Sequence, residues 1–212
     1  MKIIAIITAA GNSTRFGSNK LFEIIDNKFV IQKTLDAFIN HQKIDEIIIT
    51  YNQNSEDNFK TLDTKNKPVY LIPGGQTRTQ SVKNALQSIK DCDIVLIHDG
   101  ARPYVSEQII SDCILNVTLH KSAICAIPIS DTIAEVKHNE ITKNLERNLL
   151  YTIQTPQGFY YKDILKAYES LADNENYTDD SQVYQKLFKK VHIFLGNTEN
   201  TKITYKSDIK RR

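Results

Sequence analysis

Short apolar runs alternate with segments of helical periodicity over the first two thirds of the chain. The runs have the length of buried strands and predict strands at residues 3–8, 46–51, 69–72, 94–98 and 122–127. The segments between them predict helices near residues 30–41, 77–89 and 106–120. Parallel neighbours need crossover connections, so the alternation indicates a mostly parallel sheet flanked by helices on both faces. The predicted fold class is α/β.

The pattern changes after residue 129. Residues 132–137 and 140–143 predict two short strands that join at His138-Asn139 without a helix between them. We expect a β-arm at about residues 130–150, projecting from a single domain that spans residues 1–212. Beyond it, the chain returns through residues 151–157 to helices at 162–171 and up to 188, and to late strands at 191–195 and 202–204.

The composition favours neither a nucleic-acid partner nor a membrane partner. Among 212 residues, 27 are Lys or Arg and 25 are Asp or Glu, a net charge of +2 that lacks the basic excess of a nucleic-acid binder. No segment approaches the roughly 20 apolar residues of a membrane span. Cys92, Cys113 and Cys125 lack metal-ligand spacing, which favours reduced thiols and a cytoplasmic location.

The first predicted strand leads into a loop of small residues, Ala9-Ala10-Gly11, and two cations follow it, Arg15 and Lys20. Small side chains let backbone N–H groups approach phosphate oxygens, and the cations offset the charge that develops during phosphoryl transfer. The spacing from Gly11 to Gly17 matches neither the Walker A loop nor the dinucleotide fingerprint. Taken alone, the loop fits an ordinary turn between strand and helix equally well.

A second glycine turn, Gly74-Gly75, follows a predicted strand and opens a helix. Gln76 and Thr77 can cap that helix, and Arg78 and Ser81 lie one turn apart on one face. A helix start with hydrogen-bonding side chains suits a nucleobase or a phosphate. An ordinary capped helix explains the pattern as well.

The strand at residues 94–98 delivers Asp99 and Arg102 to its carboxyl end, where ligands bind in parallel sheets. Arg102 can clamp a phosphate through two hydrogen bonds, and Asp99 can orient it or help to hold a cation. An internal ion pair between these two residues is the alternative. His98 has no Cys or His partner at metal-ligand spacing, so we predict a packed histidine at the strand end.

Several later residues are weaker candidates. Arg147, at the return of the arm, is more typical of a solvated charge when it is taken alone. Thr178-Asp179-Asp180 fits a carboxylate pair or a Thr-capped helix with Asp in its first turn. Lys202 lies in a predicted late strand, and only its proximity supports a role for it in the site.

Together these clusters resemble the 2-C-methyl-D-erythritol 4-phosphate cytidylyltransferase family of the non-mevalonate isoprenoid pathway over nearly the whole chain. The matching residues are Ala9-Ala10-Gly11, Arg15, Lys20, Gly74-Gly75, Arg78, Ser81, His98-Asp99-Gly100-Ala101-Arg102-Pro103, Asp131-Thr132, Arg147-Asn148, Thr155-Pro156-Gln157, Thr178-Asp179-Asp180 and Asn200-Thr201-Lys202-Ile203-Thr204.

The resemblance implies a glycosyltransferase-A-like, Rossmann-like sheet, a homodimer formed through the arm, and Mg²⁺ bound mainly through the phosphates of CTP. It implies catalytic roles beside the α-phosphate for Arg15 and Lys20. The implied nucleotide-binding residues are Ala9, Ala10, Gly11, Gly75, Arg78, Ser81 and Asp99. The implied residues for methylerythritol phosphate are Arg102, Thr132 and Lys202, with Arg147 and Thr155 expected at the arm and reaching the neighbouring subunit's substrate.

Two departures and two rivals accompany the resemblance. Asn19 stands where the family often has Pro, and Gly100 stands where Ala or Ser is usual. The sister ribitol 5-phosphate cytidylyltransferases share the CTP loop, but Leu145-Glu146-Arg147-Asn148 and the doubled Asp179-Asp180 look more like the methylerythritol enzyme. A non-catalytic nucleotide-binding scaffold is the rival from another class, and the two cations after the first loop argue against it.

Overall fold

The computed structural model describes residues 1–13, 16–172 and 174–209. Their strands are β1 Ile3–Ala9, β2 Ile24–Ile25, β3 Lys28–Phe29, β4 Glu46–Tyr51, β5 Val69–Pro73, β6 Ile94–Asp99, β7 Ser122–Pro128, β8 Ala134–Lys137, β9 Glu140–Asn144, β10 Tyr151–Tyr160 and β11 Ile193–Leu195. Their α-helices are α1 Val30–Ile39, α2 Glu56–Lys60, α3 Arg78–Ser88, α4 Glu107–His120, α5 Tyr161–Glu169, α6 Asp180–Phe188 and α7 Lys206–Ile209.

A mostly parallel sheet forms the centre of the molecule, which confirms the predicted α/β class. Within the described residues it has seven strands in the order β11-β7-β10-β6-β1-β4-β5. Strand β10 runs antiparallel to both β6 and β7, and the other neighbouring pairs are parallel. Because the chain enters β10 from the arm and not from a crossover helix, it can pair antiparallel in the middle of the sheet.

Alternate residues of β1 belong to two hydrophobic layers. Ile3 and Ile7 pack with residues of α1 and α4, whereas Ile4 and Ile6 pack with residues of α3 and α5. All four side chains are almost fully buried. A strand covered on both faces reads as a continuous apolar run, and this is why β1 was recognisable in the sequence.

The arm is a hairpin of β8 and β9. Its turn is at His138-Asn139, as predicted, and both residues have positive φ angles of 51° and 67°. A second hairpin, β2 and β3, was not predicted, although its turn residues Asp26 and Asn27 also have positive φ. Asx residues tolerate this conformation, so the Asp-Asn pair is a signal that could have located it.

Two predictions for the last part of the chain are corrected, one of a strand and one of a helix cap. Residues 202–204 do not form a strand; instead Ile203 is buried and its backbone N–H donates to the carbonyl of Ala101 at 2.8 Å. Helix α6 is capped by Asp179 and not by Thr178, because the Asp179 side chain accepts from the N–H of Ser181. Asp179 therefore occupies the N-cap, and Asp180 is the acidic residue of the first turn.

Candidate active site

An open cavity of about 420 Å³ lies where β1, β4 and β6 end and α3 begins. This is the carboxyl edge of the parallel strands, where α/β sheets bind their ligands. Its lining includes many of the residues singled out in the sequence: Ala9, Ala10, Gly11, Lys20, Gly75, Arg78, Ser81, Asp99 and Lys202.

The carboxylate of Asp99 lies among three cations. Its Oδ2 is 2.9 Å from Nζ of Lys202 and 3.3 Å from Nε of Arg102, and its Oδ1 is 4.0 Å from Nε of Arg78. Burial alone would raise the pKa of Asp99, but Lys202, Arg78 and Arg102 outweigh it and hold the pKa well below its usual range. Asp99 is therefore ionised at physiological pH.

Arg102 is nearly buried behind Asp99 and does not line the cavity. Besides its ion pair with Asp99, its Nη1 donates to the carbonyl oxygen of Asn200 at 2.7 Å. The structure thus contains the internal ion pair between Asp99 and Arg102 that the sequence left open as the alternative to phosphate binding. Contact between Arg102 and a substrate phosphate stays a prediction.

Arg78 forms a two-pronged ion pair that the sequence did not predict. Its Nη1 and Nη2 donate to the two carboxylate oxygens of Asp180 at 2.8 and 2.5 Å, and Asp180 is completely buried. Burial opposes the charge of Arg78, but Asp180 and Asp99 outweigh it, so the pKa of Arg78 rises above its ordinary value. Sequence separation explains the miss, since the partners lie 102 positions apart.

Lys20 begins a short 3₁₀ turn, Lys20–Phe22, and its Nζ donates to the carbonyl oxygen of Ile203 at 2.7 Å. The departure at Asn19 has a structural reason, because its side chain accepts from the N–H of Leu21 and caps this turn. Arg15 lies outside the described residues, so its predicted place beside Lys20 stays a prediction.

The two glycine loops approach each other closely. A Cβ on Gly74 would lie 2.3 Å from Cβ of Ala10, so that position has no room for a side chain. The N–H of Gly75 donates to the Ser81 hydroxyl at 3.0 Å, which draws this loop onto the start of α3. Gly11 differs: apart from its chain neighbours, no atom of the described residues lies within 4 Å of where its Cβ would be, so it borders open space in the cavity.

Thr155 was expected at the arm, and this placement is wrong. It lies in β10 inside the sheet, in an irregular stretch between Ile153 and Gln157 where the pairing with β7 shifts. Such a bulge re-aims side chains. The buried Thr155 hydroxyl accepts from the N–H of Asp99 at 3.1 Å and lies 3.0 Å from Nδ1 of His98. Thr155 therefore supports Asp99 from behind.

His98 is fully buried at the end of β6, as predicted for a packed histidine. Its Nε2 lies 3.2 Å from the carbonyl oxygen of Arg102, which can only accept, so this nitrogen carries the proton. Nδ1 then accepts from the Thr155 hydroxyl. Burial lowers the pKa of His98 to about 4, so the ring is neutral at physiological pH.

Thr132 and Arg147 are exposed on the arm and do not line the cavity of their own chain. The guanidinium of Arg147 donates to the carbonyl oxygen of Ser130 at 3.0 Å, which ties the return of the arm to its root. The structure does not bring these two residues to the cluster around Asp99, and their contact with substrate stays a prediction.

Two asparagines that line the cavity, Asn12 and Asn52, were not predicted as site residues from the sequence. A hydrogen bond of 2.7 Å joins them. Asn12 follows the small-residue loop after β1, and Asn52 directly follows the end of β4, the parallel neighbour of β1. Polar residues just after adjacent parallel strands converge at one sheet edge, and this rule could have found Asn52.

The described residues of the cavity fit a Mg²⁺ ion that is bound largely by phosphates. No three His, Cys, Asp or Glu side chains converge in the part of the chain that the structure describes. Asp99 is the carboxylate among the described lining residues. Mg²⁺ commonly takes one or two carboxylates together with substrate phosphates and water, so Asp99 suits the protein's share.

A mostly parallel sheet with a glycine-lined, cation-bearing cavity at its carboxyl edge defines the class of α/β nucleotide-binding proteins. Within that class, the chain belongs to the 2-C-methyl-D-erythritol 4-phosphate cytidylyltransferase family, whose sequence profile matches residues 3–211.

Individual relatives resemble the chain over most of their length. The 2-C-methyl-D-erythritol 4-phosphate cytidylyltransferase of Clostridium tetani is 40% identical over 215 residues, covering 98% of this chain and 87% of that protein. The protein of the same name from Clostridioides difficile is 39% identical, covering 96% and 89%. The crystal structure of the 4-diphosphocytidyl-2C-methyl-D-erythritol synthase of Anaerococcus prevotii matches with a TM-score of 0.88 at 32% identity, covering 99% and 93%.

None of the helices in the described ranges is both long and apolar enough to cross a membrane.

Proposed function

We propose that this protein transfers the cytidylyl group of CTP to 2-C-methyl-D-erythritol 4-phosphate, giving 4-diphosphocytidyl-2-C-methyl-D-erythritol and pyrophosphate in non-mevalonate isoprenoid synthesis. The observation that carries the proposal is the cavity of this chain, where two glycine loops lie beside the cations Lys20 and Lys202. The chain belongs to the cytidylyltransferase family, which agrees with such a site. Backbone N–H groups and cations together suit a triphosphate and a second phosphate.

The reaction needs positioning and charge neutralisation. An oxygen of the acceptor phosphate attacks the α-phosphorus of CTP, a new P–O bond forms, and the bond from that phosphorus to the β-phosphate oxygen breaks to release pyrophosphate. The acceptor oxygen is anionic near neutral pH, so no general base is required. The neutral, fully hydrogen-bonded His98 agrees with this, because its ring has no free nitrogen to take a proton.

The nucleotide binds to the loops at the ends of β1 and β5. Gly11 borders open space among the described residues, so a phosphate can approach its backbone closely, and Ala9 and Ala10 line the same cavity. Gly75 and Ser81 form the opposite wall at the start of α3. Lys20, with Arg15, stabilises the charge on the α-phosphate in the transition state.

Asp99 is the residue that would hold Mg²⁺, which would supply positive charge to the phosphates when bound. The Asp99 carboxylate already lies 2.9 Å from Nζ of Lys202, which is partly exposed at the cavity. Lys202 thus lies where a second phosphate can meet it, and we assign it with Arg102 and Thr132 to the acceptor.

The arm joins two copies of the chain into a homodimer and brings Arg147 of one copy toward the acceptor site of the other. Apolar side chains on an exposed hairpin support this, because water-facing surfaces rarely carry them together. Val136 and Ile141 on the hairpin are 57% and 67% exposed, and Leu149, at the return of the arm, is 72% exposed. We place the protein in the cytoplasm, and the three free, buried cysteines support that assignment.

The test is an incubation of the purified protein with CTP and Mg²⁺ in the presence of methylerythritol 4-phosphate, with pyrophosphate release as the measurement. Ribitol 5-phosphate serves as the second acceptor in a parallel incubation. Faster release with methylerythritol 4-phosphate is expected. Preference for ribitol 5-phosphate would contradict the acceptor assignment, and no release with either would contradict cytidylyl transfer.

A further inference from the structure

Three helices meet in a buried polar cluster beneath the nucleotide side of the cavity. Arg78 begins α3, Tyr168 lies in α5 and Asp180 begins α6. The Tyr168 hydroxyl donates to Oδ1 of Asp180 at 2.5 Å, the oxygen that also accepts from Nη1 of Arg78. Tyr168 and Asp180 are 1% and 0% exposed, and neither lines the cavity.

The geometry fixes the plane of the Arg78 guanidinium. Two parallel hydrogen bonds to one carboxylate allow a single orientation of the planar fork, whereas one bond would leave it free to rotate. The bonds occupy one N–H of each terminal nitrogen and leave three further N–H donors. Arg78 itself lines the cavity, and its Nε lies 4.0 Å from Oδ1 of Asp99.

The charges around Arg78 also indicate that its orientation matters more than its charge. A buried ion pair contributes little net stability, because desolvation of both charges offsets their attraction. Asp180 also cancels the charge of Arg78, so Arg78 is a weak attractor for phosphate and a rigid hydrogen-bond donor. Among the described residues of the lining, Lys20 supplies positive charge on the triphosphate side and Lys202 supplies it on the acceptor side.

We propose that Asp180, supported by Tyr168, is a positioning residue that holds the Arg78 guanidinium in the orientation required for productive nucleotide binding. The inference rests on the proposed cytidylyl transfer, and it assigns a role to a carboxylate that touches neither substrate. Asp180 acts through Arg78 alone, so its effect depends on the presence of the guanidinium.

A double-mutant cycle tests this dependence. Pyrophosphate release is measured for the unaltered protein, Arg78→Gln, Asp180→Asn and the double variant. Since a small displacement of a positioning group can cost up to about a hundredfold, we expect Asp180→Asn to lower kcat/KM for CTP by about tenfold or more. The KM for the acceptor should stay within about twofold. In the Arg78→Gln background the same change should have almost no further effect.

Asp179→Asn is the matched control. It removes the neighbouring carboxylate from the same helix start, where Asp179 binds Gln157 and Ser181. The new amide oxygen can still accept from the N–H of Ser181, but the amide nitrogen cannot accept from Gln157, so we expect slightly lower thermal stability while kcat/KM for CTP stays within about threefold. An equal loss of kcat/KM in both variants would overturn the proposal, because both would then act through the position of α6.

If Asp180→Asn fails to fold, two further measurements still test the proposal. Asp180→Asn leaves the charge of Arg78 unpaired, whereas the double variant removes both charges and Tyr168→Phe keeps the ion pair. If Asp180→Asn is unfolded, Tyr168→Phe should lower kcat/KM for CTP in the unaltered background and leave it unchanged with Arg78→Gln. An equal loss in both backgrounds would overturn the proposal.

The outcome for the proposed function is separate. If the unaltered protein releases no pyrophosphate from CTP and methylerythritol 4-phosphate, cytidylyl transfer is contradicted. The positioning role is then measured by calorimetric binding of CTP to the same four proteins. Independent, additive losses of CTP affinity in that cycle would overturn it, and dependence on Arg78 would support it.

Discussion

Lys20 donates from Nζ to the backbone carbonyl of Ile203 at 2.7 Å, which joins positions 183 residues apart across the rim of the cavity. Ile203 is itself anchored, because its side chain is buried and its N–H binds Ala101. The segment that carries Lys202 therefore also supports Lys20. One short stretch near the carboxyl end orients cations on both the CTP side and the acceptor side of the proposed site.

Replacing Lys20 by Ala should remove most turnover while the fold survives. Loss of one cation that stabilises the transition state costs about 3 kcal/mol, or about a hundredfold in kcat. Steady-state pyrophosphate release and a thermal melt measure the two effects. Lys90→Ala changes an exposed lysine two residues beyond α3; it is the control and should leave both unchanged. Near-normal turnover of the Lys20 variant would remove Lys20 from the mechanism.

Local patterns predicted the parallel core and the two glycine loops because each is encoded within a few neighbouring residues. The apolar run of β1 and the turn at Gly74-Gly75 need no knowledge of distant chain. Partners across the sheet are different. The antiparallel insertion of β10 and the pairing of Arg78 with Asp180 depend on which elements become neighbours, and sequence spacing does not encode that. Thr155 was misplaced for the same reason.

The two loop glycines should respond differently to an added methyl group. Gly74→Ala forces a Cβ to within 2.3 Å of Cβ of Ala10, so the loops must separate and the protein should lose about 1–3 kcal/mol of unfolding free energy. Gly11→Ala enters open space and should leave stability nearly unchanged while weakening CTP binding. Urea unfolding and calorimetric CTP titration measure these effects. Full CTP affinity in Gly11→Ala would contradict close approach of the nucleotide to that residue.

The proposed homodimer should dissociate when the apolar face of the arm becomes charged. Val136 and Ile141 are cross-strand partners and lie on one face of the hairpin, both more than half exposed. Val136→Asp together with Ile141→Asp should convert a dimer into a monomer by repulsion and loss of apolar contact, as measured by sedimentation equilibrium.

Lys137→Ala is the control for the arm, because Lys137 pairs with Glu140 on the opposite face and should not affect the dimer. A monomeric unaltered protein would contradict the homodimer proposal. A doubly charged variant that stays dimeric would locate the interface elsewhere.

His98 should make the protein less stable as the pH falls from about 6.5 to 4. Burial lowers its folded-state pKa to about 4, whereas an unfolded histidine has a pKa near 6.5. Between these values the unfolded chain binds a proton that the folded chain does not, so protonation favours unfolding. The stabilisation is therefore complete above pH 6.5 and is lost towards pH 4. The difference corresponds to about 3 kcal/mol for this fully buried ring.

His98→Gln isolates this effect from other titrating groups. The glutamine amide can still donate towards the carbonyl of Arg102, but it does not titrate, so the variant should be less stable at pH 7 and have a shallower dependence on pH. Urea unfolding at several pH values should show the gap between the two proteins narrowing by about 3 kcal/mol as the pH falls to 4. His138→Gln, at the exposed turn of the arm, should keep the slope of the unaltered protein. Parallel curves for the unaltered protein and His98→Gln would mean that His98 accepts a proton in the folded state as readily as in the unfolded chain. The neutral ring that holds Thr155 behind Asp99 would then be contradicted.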